Sequence, residues 1–377
     1  MKSCLIIAGE KSGEEHALSF FNELRKKNPD FSFFGVGGEQ LEREGLELIY
    51  HLKDFSTWGI SEAIKRIPFY YKALSRMEEE VERRNCKVAI LIDFQTYNMK
   101  LAQRLQKKGV KILYYVAPQA WAWKSWRTKV LEKTVDTLFC ILPFEKKWFM
   151  DRGVSKAISI EHPVLTHNKV AIQKFERTEL SIENGILKLL LLPGSRNFEV
   201  KSLLPLFAHL VNQLKKTRKL EVSIVKSSSV KEALYAPYED LFDKVYQNED
   251  LTKAIESAHV SLASSGTVNL TCALYSLPTI VGYTGTLLNQ FIYNTFVSYD
   301  GYISITNIVH QKEVFPEFIA ENLSEYNMMT ALEKILASDA SYQERVSVLN
   351  RTKELVSGDD INISTYLSEK LNESYFN

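Results

Sequence analysis

The sequence contains little cysteine, and the positions of the few that occur exclude two classes of protein. Only four of the 377 residues are cysteines, Cys4, Cys86, Cys140 and Cys272, with no Cys-x-x-Cys pair and no Cys/His spacing typical of zinc. A disulfide-stapled secreted domain and a zinc-binding domain are therefore excluded. Because three of the four lie in or beside apolar runs, we expect reduced thiols that fill the core.

Long apolar stretches are also missing. No run approaches the roughly 18 apolar residues of a membrane-spanning helix, and the apolar part of the N-terminal MKSCLIIAGE is too short for a signal peptide. We therefore expect no secretion and at most peripheral contact with a membrane. The formal net charge of +1 provides no overall field that would attract nucleic acid.

The alternation of apolar and amphipathic segments predicts an α/β fold. Continuous apolar runs such as KVAILIDF and VKILYYVAP alternate with helical patterns, which is typical of a parallel sheet covered on both faces. A second series starts at LKLLLLPGS, and 377 residues exceed the roughly 250 to 300 at which one core stops growing. We therefore predict two doubly wound, Rossmann-like domains.

The change in pattern along the chain sets the predicted domain boundaries. The first domain spans 1–164, a polar linker 165–186, and the second domain 187–355. The tail, 356–377, is predicted to be a helix after a stop at Gly358, packed back on the first domain. Because parallel sheets bind ligands outside the carboxyl ends of their strands, we expect the site in a cleft shared by the two domains.

The first predicted strand leads into AGEKSGEEH, residues 8–16. Gly9 and Gly13 allow a tight turn and close approach of a ligand, Ser12 could cap the following helix, and Glu10 lies at the strand end. A purely structural turn explains this loop about as well as a ligand site does.

Asp93 directly follows the apolar run AILI, so its carboxylate should emerge at the same sheet edge. There it could act as a general base. The alternative is an N-cap for the helix YNMKLAQRL, but Thr96 or Asn98 is better placed for that role. We favour the catalytic interpretation.

Two turns of the second domain suit an anion. LLPGSR ends in Arg196, whose guanidinium can bind phosphate through two parallel hydrogen bonds. ASSGTVNL places residues 265–267 at the start of a helix, where unpaired N–H groups favour negative charge. Each could be only a capped turn, but together they predict a nucleotide diphosphate site. Because no metal-ligand spacing occurs, we expect these groups to neutralise the diphosphate without a metal.

Two segments rich in aromatic residues have several interpretations. The segment 58–77 interleaves aromatic, apolar and basic residues, as does an interfacial helix, but an ordinary helix packed on the sheet explains it equally well. The stretch YYVAPQAWAWKSWR holds three of the five tryptophans, which core packing, sugar stacking or membrane anchoring could explain. Because it follows a strand, we favour a wall of the ligand site, with at least one indole in the core.

The motifs occur in an order that resembles one family. AGEKSG, FFGVGG, DFSTWGISEAI, YYVAPQAWAWKSWR, ILPFEKKWF, LLPGSRNFEV and SSGT are similar to the signature of lipid-A-disaccharide synthases, from about residue 3 to residue 320. The resemblance implies a GT-B glycosyltransferase, whose two domains face each other across a cleft. The N-terminal domain would bind the acceptor and the C-terminal domain the UDP-sugar.

The resemblance also implies the reaction. UDP-2,3-diacylglucosamine and 2,3-diacylglucosamine 1-phosphate would form the β(1→6) lipid A disaccharide 1-phosphate and UDP, by one inverting displacement without metal or other cofactor. The implied location is the cytoplasm, in peripheral association with the inner membrane. The resemblance is compatible with a homodimer. No nucleic acid partner is expected.

Matched motifs carry the family's roles onto this sequence. Asp93 would be the base, and Glu10 matches the acidic residue of the first loop. The residues expected to face the UDP-sugar are Ser195, Arg196, Ser265, Gly266, Thr267, Thr271 and Asn307. The residues expected in the acceptor cleft are Ser12, Gly13, Asn98, Trp121, Trp123, Lys124 and Arg127. The residues expected to contact membrane or acyl chains are Trp58, Ile60, Ile64, Lys65, Arg66, Ile67 and Phe69.

Several positions depart from the family pattern. Thr271 stands where the family has an acidic residue, Thr96 replaces an aspartate, Glu14 replaces an aspartate, Glu161 replaces a glycine, and Lys124 replaces an arginine. We expect these changes to alter the affinity for UDP or the accepted sugar and acyl pattern, and they permit partial loss of activity.

Three other functions are compatible with the same fold. A UDP-GlcNAc 2-epimerase would act on the free UDP-sugar and has no need of an apolar surface. A GT-B transferase with another lipid acceptor would keep both the UDP-sugar site and the apolar surface. A degenerate scaffold that binds lipid or nucleotide would have no need of Asp93, Glu10, Arg196 and Asn307 together.

Overall fold

The structure is a computed structural model, and it describes residues 2–55, 66–122, 124–177, 185–283 and 301–376. The chain divides into two compact units. Unit 1 comprises Met1–His167 and Ser357–Asn377, and unit 2 comprises Asn168–Val356. Each unit has its own parallel sheet and its own core, as the apolar runs predicted.

Within the described residues, seven parallel strands form the sheet of unit 1. They are β1 (Lys2–Ala8), β2 (Phe31–Gly37), β3 (Glu47–His51), β4 (Val88–Ile92), β5 (Lys111–Tyr115), β6 (Thr137–Cys140) and β7 (Ala157–Ser159). Their order across the sheet is β3-β2-β1-β4-β5-β6-β7. The central strands are buried along their length because helices cover both faces, which explains why the sequence shows continuous apolar runs.

The helices of unit 1 bury one apolar stripe each. They are α1 (Lys11–Lys27), α2 (Glu39–Arg43), α3 (Ile67–Arg83), α4 (Gln95–Gln106), α5 (Arg127–Thr134), α6 (Glu145–Met150) and, from the tail, α15 (Ile363–Phe376). In α1 the buried positions Ala17, Phe20, Phe21 and Leu24 recur at the helical period. The Phe20 ring packs 4.9 Å from that of Tyr115 in β5, so this stripe faces the sheet.

Helix α15 belongs to unit 1 although it ends the chain. Gly358, at φ +62°, lies against the backbone of Ile160, and the helix follows five residues later. The Tyr375 hydroxyl donates to the Ser3 carbonyl (2.6 Å) and accepts the Lys87 N–H (3.0 Å). Through these two bonds, a tail residue joins the amino end of β1 to the residue that precedes β4.

Six parallel strands, again within the described residues, form the sheet of unit 2. They are β8 (Leu187–Leu192), β9 (Leu220–Lys226), β10 (Lys244–Gln247), β11 (Val260–Ser264), β12 (Thr279–Tyr283) and β13 (Glu317–Ile319), in the order β10-β9-β8-β11-β12-β13. The helices are α8 (Asn197–Leu214), α9 (Leu251–Ser257), α10 (Val268–Leu274), α11 (Ile305–His310), α12 (Glu325–Ile335), α13 (Asp339–Asn350) and α14 (Thr352–Leu355).

The stretch predicted as a polar linker contains a helix, α7 (Pro163–Lys174). Arg177 follows it and donates to three carbonyl oxygens of unit 2, those of Tyr275 (2.8 Å), Ile255 (3.1 Å) and Ala258. The guanidinium is thereby bonded to the carboxyl ends of two helices, where the helix dipole favours a cation. The chain is tied to unit 2 ten residues before its first strand begins.

Both sheets have a point at which the order of strands reverses. In unit 1 it lies between β1 and β4, and in unit 2 between β8 and β11. At that point the loops after the two neighbouring strands run in opposite directions. A crevice therefore opens outside the carboxyl ends of the strands, and α/β proteins bind ligands there. The motifs selected from the sequence are these four loops.

Two expectations from the sequence concern the state of the cysteines and the absence of membrane-spanning helices. All four cysteines are free and buried, as expected. Among the described residues, no helix is long and apolar enough to cross a membrane.

We predict that Gly35→Ala strongly destabilises unit 1. Gly35 of β2 has φ +146° and lies opposite Ile6 of β1, and a Cβ would clash with the Ile6 carbonyl oxygen. Backbone strain and overpacking together should cost roughly 3 kcal/mol. All five tryptophans lie between residues 58 and 148, so tryptophan fluorescence during urea unfolding follows this unit alone.

Gly109→Ala is the matched control. Gly109 also has a positive φ, +74°, but a Cβ there would meet no atom of the described residues within 4 Å. The substitution should cost only the backbone strain, about 1–2 kcal/mol. Equal shifts of the two urea midpoints would contradict the proposed clash.

Candidate functional site

The loops after β1 and β4 bring together three of the predicted site residues. Glu10 is exposed at the N-cap position of α1, and Ser12 lies in the first turn of that helix. The Ser12 hydroxyl favours the charged form of the Asp93 carboxylate, which follows β4, and so lowers its pKa. The expectation that Ser12 caps α1 was wrong, because Ser12 lies inside the helix and Glu10 occupies the N-cap position.

Asp93 lies in a sharp turn of left-handed backbone. Asp93 has φ +45° and Phe94 has φ +43°, each of which costs roughly 1–2 kcal/mol in a residue with a side chain. The Asp93 carbonyl accepts the Asn98 amide (2.9 Å) and the Tyr114 hydroxyl (3.1 Å), and its N–H donates to the Tyr115 carbonyl (2.9 Å). Three hydrogen bonds thus hold the strained turn in place.

The helix after this turn begins earlier than predicted. Helix α4 starts at Gln95, and its N-cap, Phe94, makes no side-chain cap. The prediction that Thr96 or Asn98 caps the helix was wrong, because both lie inside it: Thr96 is exposed, and Asn98 is buried with its amide on the Ile92 and Asp93 carbonyls. Asn98 therefore supports the Asp93 backbone from within α4.

The protonation of Asp93 is set by burial against two hydrogen bonds. Its carboxyl is half-buried, and burial raises its pKa, while the Phe94 N–H and the Ser12 hydroxyl favour the charged form and lower it. A carboxylate with a raised pKa at a sheet edge is suited to accept a proton from a hydroxyl.

Phe94 covers the glycine loop after β1. A Cβ on Gly9 would lie 2.5 Å from the Phe94 ring, so the two strand ends can approach only because residue 9 is glycine. Gly13 is buried, with room for ordinary contact to Ala8. The Phe94 ring also meets Phe55 edge-on, at 5.6 Å. An aromatic cluster that the sequence did not predict therefore borders the loop.

The tryptophan stretch has one anchored and one exposed indole. Trp121 is half-buried, donates its Nε1–H to the Glu145 carboxylate (3.0 Å) and meets Phe144 edge-on at 5.2 Å. Trp126 is 59% exposed. Trp123 lies outside the described residues. Trp121 is thus anchored on the glutamate of the LPFEK motif, and neither described indole of the stretch is fully buried.

Glu145 was not selected from the sequence. It is buried and accepts the N–H groups of Ile141 and Leu142, both at 3.1 Å, besides the indole of Trp121. Burial raises its pKa to about 7, against these three donors, which favour the charged form. The sequence shows only that Glu145 is an acidic residue at the start of a helix that follows a strand. Many glutamates that merely cap a helix occupy such a position.

Arg127 and Lys124 occupy different environments. Arg127 is buried and donates to the Gln95 side chain (2.6 Å), while Lys124 is exposed at φ +58°. Burial lowers the pKa of both, and the Arg127 charge lowers that of Lys124 further. Burial and the Asp93 charge raise the pKa of Tyr114, and the Arg127 charge opposes this increase.

Two of the departures from the family pattern have structural partners. The buried Glu14 carboxylate accepts the Leu41 N–H (3.1 Å) at the start of α2, whose own N-cap is a glycine. Glu161 accepts the hydroxyl of Thr166 (2.9 Å). Glu14 therefore caps a helix, and this structural role explains the glutamate at this position without a ligand.

Two buried or partly buried histidines of unit 1, His16 and His162, are held in the neutral form. Burial lowers the pKa of His162 to about 3 and that of His16 to about 4. His162 Nδ1 accepts the N–H of Val164 (3.1 Å) at the start of α7.

Only part of the predicted membrane segment lies in the described residues. Trp58, Ile60, Ile64 and Lys65 lie outside them. Ile67 is 47% exposed at the start of α3, whereas Phe69 packs edge-on against Phe55 at 5.3 Å and belongs to the core. Arg66 donates to the Asp54 carbonyl (2.5 Å).

In unit 2, the GSR turn contains its own carboxylate. Glu199 of α8 accepts the N–H groups of Ser195 (3.0 Å) and Arg196 (3.2 Å), and pairs with the Arg196 guanidinium (3.0 Å). Gly194, at φ +119°, leaves room for this carboxylate. The loop amides expected to meet phosphate are thus satisfied internally, while the Arg196 side chain is 63% exposed.

The loop after β11 is open. Gly266 and Thr267 are exposed, and their N–H groups meet no acceptor in the part of the chain that the structure describes. A Cβ on Gly266 would meet no described atom within 4 Å, so packing does not require the glycine. Ser265 is half-buried and donates its N–H to Gly282 (3.2 Å), and Thr271 is buried in α10.

Asn307 is buried and bonded on all sides. Its amide donates to the Phe315 carbonyl (2.8 Å) and to Glu317 (3.1 Å), and its oxygen accepts the N–H groups of Val314 and Phe315, both at 2.9 Å. Glu317 in turn accepts the Ser304 N–H (2.8 Å) at the start of α11. The structure thus places Asn307 inside the unit, where it holds a loop in place.

Within the described ranges, no group of three or more His, Cys, Asp or Glu side chains could hold a metal ion. The polar groups at the two reversal points are carboxylates in unit 1 and a guanidinium with free amides in unit 2. This arrangement can accept a proton on one unit and bind an anion on the other.

Known structures share this fold. A putative UDP-N-acetylglucosamine 2-epimerase from Listeria monocytogenes is similar at a TM-score of 0.61 and 13% identity, covering 100% of this chain and 96% of its own. MurG from Acinetobacter baumannii is similar at a TM-score of 0.60 and 11% identity, covering 99% and 100%. The calicheamicin glycosyltransferase CalG4 is similar at a TM-score of 0.59 and 11% identity. At such low identity the likeness establishes the fold, an α/β fold of GT-B type.

Sequence comparison is more specific. The lipid-A-disaccharide synthase of Myxococcus xanthus (strain DK1622) is 29% identical over 350 residues, which cover 92% of this chain and 91% of the relative. That of Idiomarina loihiensis is 30% identical over 343 residues, covering 89% of each chain. The family model for lipid-A-disaccharide synthetase matches residues 4–370. The chain therefore belongs to the lipid-A-disaccharide synthetase family.

Proposed function

We propose that the protein transfers the sugar of UDP-2,3-diacylglucosamine to the 6-hydroxyl of 2,3-diacylglucosamine 1-phosphate, with inversion, forming the lipid A disaccharide 1-phosphate and UDP. The observation that carries this proposal is the position of Asp93. It stands at the reversal point of the first sheet, on a turn held by three hydrogen bonds, with Ser12 on its carboxylate. A family that joins two sugars requires such a base.

Unit 1 would act on the acceptor. Asp93 removes the proton of the attacking hydroxyl, and Glu10, exposed at the start of α1, follows the neighbouring strand β1. The anchored Trp121 and the exposed Lys124 would border the acceptor and its phosphate. Glu145 positions this wall, because it binds the indole and two backbone amides at once.

Unit 2 would bind the leaving UDP. The exposed Arg196 guanidinium and the open amides of Gly266 and Thr267 stand at the two loops of the second reversal point, and together they can offset the charge of a diphosphate. Glu199 positions Arg196, and Asn307 positions the loop before β13. Buried Thr271 contributes to the helix rather than to a ribose contact.

Both substrates carry acyl chains, so the protein must work at a membrane surface. We propose peripheral binding to the cytoplasmic face of the inner membrane. The exposed Ile67 supports this, since it opens α3 with its apolar side chain in solvent. The alternative of an epimerase gains no support beyond the shared fold, and UDP-GlcNAc incubated alone should remain unchanged.

Asp93→Asn should abolish most of the transfer. The amide keeps the shape of the side chain but cannot take the hydroxyl proton, so kcat should fall roughly 100- to 10,000-fold while UDP binding persists. Disaccharide would be measured by mass spectrometry with both lipid substrates in detergent and EDTA. Asp151→Asn, at an exposed carboxylate, is the control. Undiminished turnover in Asp93→Asn would rule out the assigned base.

Ser12→Ala should move the pH profile of kcat/KM. The base must be ionised, and the Ser12 hydrogen bond lowers the pKa of Asp93, so its loss raises that pKa. The acidic limb, in which activity disappears as pH falls, should therefore shift upward by about one pH unit. Ser19→Ala, two turns further along α1 with its hydroxyl on the His16 carbonyl, should leave the limb in place. A shift shared by both variants would refute the contact.

Arg196→Ala should slow the departure of UDP. The backbone amide that binds Glu199 remains, so the turn should keep its shape, but the diphosphate loses a cation worth roughly 3 kcal/mol, or about 100-fold in kcat. Lys201→Ala removes an equally exposed charge from the same helix and is the control. Equal kcat in both variants would contradict the role of Arg196.

A further inference from the structure

Helices α4 and α5 enclose a basic groove that the mechanism does not use. Its volume is about 600 Å³. Its lining residues are Lys100, Gln103, Arg104, Gln106, Lys107, Lys129, Val130, Lys133 and Thr134. Five of these nine side chains are cations and none is a carboxylate. Helix α4 follows β4 and Asp93 in the chain, and helix α5 follows the neighbouring strand β5.

The positive charge of the groove is largely uncompensated. Arg104 pairs with Glu78 at 2.7 Å, but the four lysines make no ion pair within the described residues. The nearby carboxylates have other partners, since Glu82 pairs with Lys108 (2.5 Å) and Glu132 accepts the Ser155 hydroxyl (2.9 Å). Unpaired like charges in one concavity repel each other and attract an anion.

An apolar edge adjoins this groove. Ile67 and Tyr71 lie one turn apart at the start of α3, and they are 47% and 49% exposed. The Lys100 ammonium lies 5.0 Å from the centre of the Tyr71 ring and 3.5 Å from its hydroxyl. The apolar edge and the basic groove therefore form one continuous surface, which combines the two features of a membrane-surface site.

We propose that this surface docks on an anionic bilayer. The groove takes the phosphate of lipid headgroups, and Ile67 and Tyr71 enter the boundary of the acyl region. The proposal deepens the peripheral membrane binding inferred above and rests on it. A nucleic acid would match the lysines but gives no use for exposed isoleucine, so the bilayer is the partner that both halves of the surface fit.

The test is sedimentation of the full chain with vesicles. Wild type should bind phosphatidylcholine vesicles containing 30% phosphatidylglycerol on the order of a hundredfold or more above pure phosphatidylcholine. Replacing Lys107, Lys129 and Lys133 by Gln should weaken that binding roughly fivefold for each lysine, about a hundredfold in all. The matched control replaces the exposed lysines Lys26, Lys216 and Lys231 by Gln, and should bind nearly as wild type does.

The apolar half is tested separately. Ile67→Ser should reduce binding several-fold and keep its salt dependence, whereas the triple lysine variant should lose the salt dependence. Equal binding by the groove variant and the control variant would overturn the proposal, as would displacement of wild type from vesicles by tRNA. Sedimentation needs no substrate, so the groove can fail while disaccharide is still formed, and the assigned reaction can fail while the groove still binds.

Discussion

The constraint on which the structure depends is that a parallel sheet covered on both faces leaves only its strand ends for polar chemistry. In each unit the central strands are buried along their length, so ionisable side chains emerge where the chain leaves the sheet. The reversal of strand order opens a crevice at one position of each sheet. A carboxylate of unit 1 and a guanidinium of unit 2 stand at those positions, and we propose that each unit thereby contributes one half of a transfer reaction.

This constraint also explains the strained turn at Asp93. A carboxylate that simply continued β4 would stay within the sheet, whereas two residues of left-handed backbone turn the chain sharply into α4. The buried Asn98 amide and the Tyr114 hydroxyl bind the turn's carbonyls and offset the cost. Their function is thus to orient the carboxylate, and neither needs to touch a substrate.

Much of this was predictable from the sequence, because strand ends are local features. The apolar runs identify both sheets; Asp93 directly follows one of them, and Arg196 ends the glycine turn after another. The roles of Glu199 and Glu145 were not predictable in the same way. Each depends on which backbone amides lie opposite, and a single sequence does not specify those neighbours. Asn307 illustrates the same limit, since its motif suggested ligand contact while folding encloses its amide.

The departures from the family pattern divide by the same principle. Glu14 caps a neighbouring helix, and Thr271 lies inside α10, so both belong to the packing of this chain. Asp93, Ser12 and Arg196, at the loop ends, match the family and remain accessible to ligands. Thr96 and Lys124, by contrast, are exposed departures in α4 and in the stretch after β5.

The central claim is a single displacement in which Asp93 takes the proton of the acceptor hydroxyl. The most direct measurement is the anomeric configuration of the disaccharide made by the purified protein, determined by NMR from the coupling constant of the new glycosidic bond. The account predicts a configuration opposite to that of the sugar in the UDP donor. A retained configuration would require an intermediate on the enzyme or a front-side attack, and it would contradict the assigned mechanism.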